Sequence, residues 1–173
     1  MPRRTSRLVL ILASVFIASI GLIQANVLAP PPDFKVFARN TDLIVVGTYT
    51  GATERAWTKE ARYKKVLTDM HFKIAEVLKA DGAHFKGIDS VDATTDGTAD
   101  NEITKALTPG QQYVVFLKWV EPFQTYSLNY GLAGGYKLIG DEAISMRPET
   151  HLVQRHGKLS PAQLVEMIKK SAN

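Results

Sequence analysis

The pattern of apolar positions predicts a chain built mainly of β-strands. Residues 43–49 and 113–120 are mostly apolar runs, rich in β-branched and aromatic side chains. Gly51 follows the first run, and Pro109 with Gly110 precedes the second, so turn residues bound both. Such runs are typical of strands that are buried on both faces. We therefore expect both strands to lie in the centre of a sheet.

Residues 67–79 fit two periodicities. The first half alternates apolar and polar residues as in a strand, whereas Met70, Ile74 and Val77 also lie at helical spacing. The β-branched and aromatic content of the segment favours a strand. We expect a bulge near Ala75–Glu76, because the apolar face changes there from even to odd positions.

The other strands are more weakly marked. Residues 52–65 are densely charged and have no periodicity, which predicts a long mobile loop. Residues 87–93 predict a short strand, and the Asp- and Gly-containing segment 94–101 a polar loop after it.

The second half of the chain predicts a hairpin. Residues 126–130 alternate between apolar and polar positions, and the glycine-rich segment 131–135 leads into residues 136–139. We interpret these segments as a hairpin with an aromatic face. Residues 143–146 predict a last short strand.

The C-terminus predicts a helix over residues 160–171. Ser160 is a good N-cap, Pro161 suits the first helical position, and Gln163 completes a capping box with Ser160. Leu164 begins the apolar stripe that faces inward. The domain is therefore predicted to be a β-barrel or sheet covered by one short C-terminal helix.

The N-terminus predicts export. Three arginines precede the apolar residues 8–23, and Ala25 followed by Asn26 offers a signal-peptide cleavage site. The apolar run would span about 24 Å as a helix, less than the roughly 30 Å of a bilayer core. We therefore expect residues 1–25 to be a cleaved signal peptide, with an uncleaved N-terminal membrane anchor as the alternative. The protein would then be periplasmic, extracellular or membrane-anchored outside the cytoplasm.

Residues 26–36 are rich in proline and predict a linker. The chain has no cysteine, so its fold must hold without disulfides.

The net charge narrows the range of possible partners. The formal charge is +4, of which three charges belong to the export segment, leaving +1 for residues 26–173. The only local excess of basic residues, Lys59, Arg62, Lys64 and Lys65, is best interpreted as a solvated surface. We expect no nucleic-acid partner and contact with a membrane only through the N-terminal segment.

No motif for catalysis, metal binding or a cofactor is present. The acidic residues between Asp92 and Glu102 lack the spacing of a calcium loop, and no Gly-x-Ser-x-Gly elbow occurs. The histidines lack the spacing of a zinc site; they are His71, His84, His151 and His156. We therefore expect no cofactor, no bound metal and no enzyme activity.

Four aromatic residues are candidates for a binding face, because amphipathic rings can stack on a sugar or anchor a partner. They are Trp119, Tyr126, Tyr130 and Tyr136. Packing in the core or across strands is the competing interpretation of these rings.

Residues 41–48, 72–79 and 109–117, in this order, resemble a group of exported bacterial proteins with an OB-like barrel, similar to that of tissue inhibitors of metalloproteinases. The resemblance implies an all-β fold over residues 37–173, with a closed or partly open barrel and one C-terminal helix. It does not imply inhibition of metalloproteinases, because those inhibitors chelate zinc through an N-terminal cysteine and this chain has none.

The sequence therefore predicts an exported, non-catalytic binding module that recognises a protein or glycan of the cell envelope. One alternative is a secreted protease inhibitor that does not chelate zinc. The other is a hydrolase whose carboxylates come together from separate loops.

Overall fold

The computed structural model describes residues 33–58, 64–81, 84–86, 89–147 and 158–172. These residues belong to one compact unit, Pro31–Asn173. The predicted export segment, its cleavage site at Ala25 and Asn26, and most of the predicted linker lie outside the described residues. None of the helices in the described ranges is long and apolar enough to cross a membrane.

Strands dominate the described residues. The strands are β1 (Leu43–Thr58), β2 (Lys64–Ala80), β3 (Ser90–Asp96), β4 (Gln112–Val120), β5 (Thr125–Leu128), β6 (Gly135–Ile139) and β7 (Glu142–Ser145). The helices in the described ranges are α1 (Phe34–Arg39), α2 (Glu102–Lys105) and α3 (Pro161–Ala172), and 3-10 turns lie at Glu121–Phe123 and Gly131–Gly134.

The sheet closes on itself through five strands. Its order is β1-β2-β3-β5-β4-β6-β7, and β4 also pairs with β1. The ring is completed by a parallel contact between β3 and β5 at Ala93 and Tyr126, whereas its other pairings are antiparallel. This mainly β architecture with a C-terminal helix confirms the predicted fold class, and a ring of five strands is what an OB-like fold requires.

The ambiguous segment at residues 67–79 is a strand, as predicted. The β1–β2 pairing passes from Val46↔Glu76 to Gly47↔Ile74 and thereby skips Ala75, which places a bulge at the predicted position. Leu78 is skipped in the same way. Because each bulge shifts the pleat by one residue, the apolar face of β2 can change between even and odd positions.

The prediction of a mobile loop over residues 52–65 is wrong for residues 52–58 and 64–65, whereas residues 59–63 lie outside the described residues. β1 continues to Thr58 and β2 begins at Lys64, and residues 52–58 pair with residues 64–70 as a two-stranded arm. We define the arm as residues 52–58 of β1 together with residues 64–70 of β2. The charges that suggested a loop make cross-strand pairs, such as Arg55 with Asp69 at 2.6 Å.

The predicted hairpin of residues 126–139 is also wrong. β5 and β6 do not pair with each other; both run antiparallel to β4, through Leu117↔Leu128 and Val115↔Gly135. The glycine-rich segment is a 3-10 turn that loops out while the chain keeps its direction. A Cβ atom at Gly134 would overlap the backbone oxygen of Asn129, which explains why glycine is needed at this turn.

Two other elements differ slightly from the sequence predictions. β3 extends to Asp96, so the first residues of the predicted loop 94–101 are a strand, and α2 follows that loop. α1 begins at Phe34, inside the segment predicted as a linker, and Asp33 caps it by accepting from the backbone N–H of Lys35.

Two clusters of buried side chains hold the fold together. The inner core draws residues from all five strands of the ring, including Tyr113, Val115 and Leu117 of β4. The outer core joins the other face of β4, at Val114 and Phe116, to α1, α3 and the β6–β7 hairpin. Because successive side chains of a strand point to opposite faces, β4 packs one face against the inner core and the other face against the outer core.

The C-terminal helix forms as its sequence predicts. Ser160 and Gln163 make the reciprocal capping box, with Ser160 N–H donating to Gln163 Oε1 at 2.9 Å and Gln163 N–H donating to Ser160 Oγ at 3.2 Å. Leu164 and Ile168 are fully buried in the outer core. These contacts fix α3 against the sheet.

Candidate functional site

The four predicted aromatic residues do not share one face. Trp119 and Tyr126 are cross-strand neighbours at the inner core, with ring centroids 5.2 Å apart. Tyr136 is buried in the outer core beside Phe116. Tyr130 is 52% exposed and has its ring 5.7 Å from that of Phe37. The structure therefore brings together only the first two of these residues.

Trp119 is held by polar groups at the end of β4. Its indole stacks on the imidazole of His84, with ring centroids 4.2 Å apart and planes 7° from parallel. Its Nε1–H donates to Glu121 Oε2 at 2.6 Å. This hydrogen bond and one from Gln124 lower the pKa of the Glu121 carboxyl. One face of the indole is thus already covered by a ring of the same protein.

The hydroxyl of Tyr126 is buried and has no hydrogen-bond partner among the described residues. The side chain is 5% exposed, and burial, followed by the nearby Asp42, raises the pKa of its phenol. A buried polar group without a partner costs about 1–3 kcal/mol.

We expect Tyr126→Phe to leave the free energy of unfolding unchanged or to raise it by up to about 1 kcal/mol, because the variant removes an unpaired hydroxyl. The matched control is Tyr113→Phe, since the Tyr113 hydroxyl accepts from the backbone N–H of Thr108 at 2.8 Å. That control should lose about 1 kcal/mol. Urea denaturation at pH 7 measures both, and an equal loss in the two variants would contradict the assignment.

The same substitution should alter stability at alkaline pH. The folded-state pKa of Tyr126 lies above its ordinary value, so the unfolded chain releases the phenol proton at lower pH than the folded chain does. Stability therefore falls as pH rises through the two pKa values. Tyr126→Phe should lessen that fall, and Tyr49, whose pKa burial also raises, should account for part of what remains.

A second group of side chains lies on the face of the sheet turned away from the inner core. We call it the outer face, and it spans the arm, the middle of β2 and β3, and the β4–β5 turn. Its polar and aromatic residues are Thr53, Arg55, Trp57, Lys65, Asp69, His71, Lys73, Asp92, Thr94, Asp96, Phe123 and Thr125.

Three strands contribute one hydrogen-bonded chain on the outer face. Thr53 Oγ1 of β1 lies 2.9 Å from His71 Nε2 of β2, and His71 Nδ1 lies 2.7 Å from Asp92 Oδ1 of β3. The partner of His71 in β1 is Gly51, which has no side chain to cover the imidazole. His71 is consequently about one-third exposed.

A second polar group lies beside this chain. Asp69 is 14% exposed and accepts from Arg55 Nε at 2.6 Å and from Thr94 Oγ1 at 2.5 Å. The Thr94 hydroxyl also lies 3.1 Å from that of Thr125 on β5. These bonds connect the arm to the ring and hold its polar side chains in place.

Two aromatic rings meet at the far end of the outer face. The arm carries Trp57, the β4–β5 turn carries Phe123, and their ring centroids are 5.0 Å apart with planes at 86°. Both side chains are partly exposed. Neither ring is among the predicted binding residues. Trp57 lies in a segment that the sequence predicts as a loop, and Phe123 is 66 positions from Trp57, so no local pattern connects the two.

The charges of the outer face balance. Arg55, Lys65 and Lys73 are matched by three acids, namely Asp69, Asp92 and Asp96. Lys65, a member of the predicted basic cluster, pairs with Asp96 at 2.6 Å. Lys59 and Arg62 of that cluster lie outside the described residues, as do His151 and His156.

The acidic segment between Asp92 and Glu102 is divided among separate partners. Besides the pairs of Asp92 with His71 and Asp96 with Lys65, Asp100 lies 3.0 Å from Lys105 Nζ. Within the ranges that the structure describes, no group of three or more histidine, cysteine or acidic residues is placed to hold a metal ion.

Comparison with known proteins adds no family to this picture. No protein-family model, no curated protein and no solved structure matches the chain.

Proposed function

We propose that the protein is an exported binding module that holds a protein or glycan of the cell envelope on its outer face. The observation that carries this proposal is the meeting of Trp57 and Phe123 at the end of a row of hydrogen-bonded polar side chains. Aromatic rings next to fixed polar groups combine contact area with directional hydrogen bonding.

The arm supports a binding role because it extends beyond the closed part of the sheet. The last pairing between β1 and β4 is Thr48↔Gln112, and β1 continues for ten residues beyond it. Cross-strand bonds preorganise the arm, so little side-chain entropy would be lost when a partner binds. By fold-level analogy, OB barrels also bind ligands across strands 2 and 3 and the loops at this end.

The balanced charge of the outer face favours an uncharged partner over nucleic acid. The described residues of this face include three basic and three acidic side chains, and Lys65 and Arg55 are each in an ion pair. Such a face offers no net field for nucleic acid, which requires a basic surface. A neutral glycan or an uncharged polar protein surface fits it better.

The proposal is tested by capture on the full chain. A C-terminally tagged protein is incubated with an extract of its own cell envelope, and bound proteins and glycans are quantified by mass spectrometry. We expect Trp57→Ala to reduce one captured partner at least about ten-fold, the loss of a typical hot-spot residue. Tyr130→Ala, which removes an exposed ring away from the outer face, should retain that partner. Equal capture by both variants would contradict the proposal.

The arm also favours a second candidate, a protease inhibitor that does not chelate zinc. In the described pairings, residues 52–58 of β1 pair with β2 on one side and with no strand on the other. An open strand edge can add to the sheet of a protease or enter its cleft as an extended segment. Inhibition of a panel of envelope and secreted proteases by the full chain tests this candidate, and cleavage of the arm without inhibition would reject it.

A further inference from the structure

The chain of hydrogen bonds through Thr53, His71 and Asp92 has the order of groups found at nucleophilic active sites. A hydroxyl faces one ring nitrogen of an imidazole at 2.9 Å, and a carboxylate faces the other at 2.7 Å. Nucleophilic catalysis requires this contact between nucleophile and base, with the base oriented by a third group. We propose that Thr53, His71 and Asp92 form an acyl-transfer site that accepts short O-acyl esters.

The arrangement assigns the protons. An ionised carboxylate only accepts hydrogen bonds, so Asp92 requires the proton of the imidazole on Nδ1 of His71. In the neutral imidazole Nε2 then carries a lone pair and accepts from the Thr53 hydroxyl. His71 is thereby placed as the general base for Thr53, and Asp92 fixes its tautomer and ring orientation.

The reaction proceeds in two balanced steps. Thr53 Oγ1 attacks the ester carbonyl carbon while His71 Nε2 takes the hydroxyl proton, and the C–O bond to the alcohol then breaks as the alcohol oxygen receives that proton. This leaves an acyl ester on Thr53. A water molecule gives its proton to His71 and attacks the ester, and Thr53 regains the proton as the carboxylic acid departs.

The surroundings of Thr53 suit this chemistry. Arg55 lies two residues farther along the same face, about 7 Å along the strand, and Asp69 holds its Nε. The Asp69 carboxylate lies opposite Thr53 in the β1–β2 pairing, so the N–H groups of Arg55 other than Nε are the donors that this proposal assigns to the oxyanion formed during attack. Gly51 leaves the imidazole uncovered, and Thr53 is exposed, so an ester can approach from solvent. The open face favours short acyl groups.

The residues that form this site gave no signal in the sequence. Thr53, His71 and Asp92 are 18 and 21 positions apart, and only the register of three adjacent strands brings them together. The proposal can fail separately from the binding role on the same face, because catalysis needs these three residues whereas the binding test removes the aromatic ring of Trp57.

The test uses the full chain with p-nitrophenyl acetate near pH 7.5. We expect a burst of nitrophenolate and one acetyl group on the peptide that contains Thr53, found by mass spectrometry. Thr53→Val, which keeps the shape of the side chain, should abolish the acetylation, and His71→Gln should slow release about 100-fold, the usual contribution of a general base. Thr53→Ser should restore the burst, since it returns the hydroxyl.

His84→Gln is the matched control, because exposed imidazoles hydrolyse this ester slowly without any partner. His84 is exposed and lies outside the outer face, so its removal should leave the burst unchanged. The proposal is overturned if His71→Gln and His84→Gln lower the rate equally, or if Thr53→Val keeps the rate and the acetyl group. Urea denaturation of each variant shows that a lost burst is not lost folding.

Discussion

Lys79→Met is expected to lower the free energy of unfolding by about 3 kcal/mol, because buried backbone carbonyls lose a charged donor and each unmet acceptor costs about 1–3 kcal/mol. Lys79 is 8% exposed, and its ammonium group donates to the backbone oxygens of Ala38, Arg39 and Thr41 at 2.7–3.1 Å. Methionine would fill a similar space but remove this donor from all three carbonyls, of which, in the described part of the chain, Ala38 O alone keeps a backbone N–H, that of Thr41 at 3.4 Å. The last carbonyls of α1 are among them, where the helix dipole favours a cation.

Lys73→Met is the matched control for this prediction. Lys73 is the same residue type on the same strand, and its side chain is exposed, so we expect a change within about 0.5 kcal/mol. Urea denaturation monitored by circular dichroism measures both variants. Similar losses in the two would show that the cluster around Lys79 does not stabilise the fold.

Phe116→Ala is the second substitution with a large expected effect, a loss of about 3–5 kcal/mol. Phe116 is fully buried, and its ring lies 4.8 Å from that of Phe37 and 6.0 Å from those of Phe34 and Tyr136. It therefore joins α1 to the sheet at the centre of the outer core. Truncation removes these ring contacts and leaves a cavity among groups that can close only in part.

Phe34→Ala serves as the comparison for Phe116→Ala. Phe34 is only partly buried at the edge of the same core, so we expect a loss of about 1–2 kcal/mol. Thermal or urea unfolding gives the order of the two variants. If Phe34→Ala proves the more damaging, the outer core is not centred on β4.

Local sequence signals predicted much of this fold. The apolar runs form β1 and β4, because a strand that is buried on both faces carries apolar side chains at successive positions. The capping box of α3 could be predicted because its hydrogen bonds join residues only three positions apart. The bulge in β2 could be predicted because a change of apolar parity has few other causes.

What could not be predicted depends on pairing between distant strands. The arm contains charged residues that resemble a loop until Arg55 meets Asp69 and Lys65 meets Asp96 across strands. In the same way, whether a tyrosine such as Tyr136 faces one core or the other depends on the register of β6 against β4. A shift of one residue reverses every side chain in a strand, and no local pattern encodes it.

The packing of α1 against α3 has a consequence for how the chain folds as it is synthesised. α1 and α3 are far apart in the sequence. Nevertheless, Phe37 and Ala38 of α1 share the outer core with Leu164 and Ile168 of α3. α1 and the β6–β7 hairpin can cover part of the outer-core side of β4 earlier, but the outer core is not complete until α3 has been made. Such long-range closure slows folding and prolongs the exposure of a partly formed core. We therefore expect a chaperone that binds exposed apolar surface to remain bound longest on this side of the sheet.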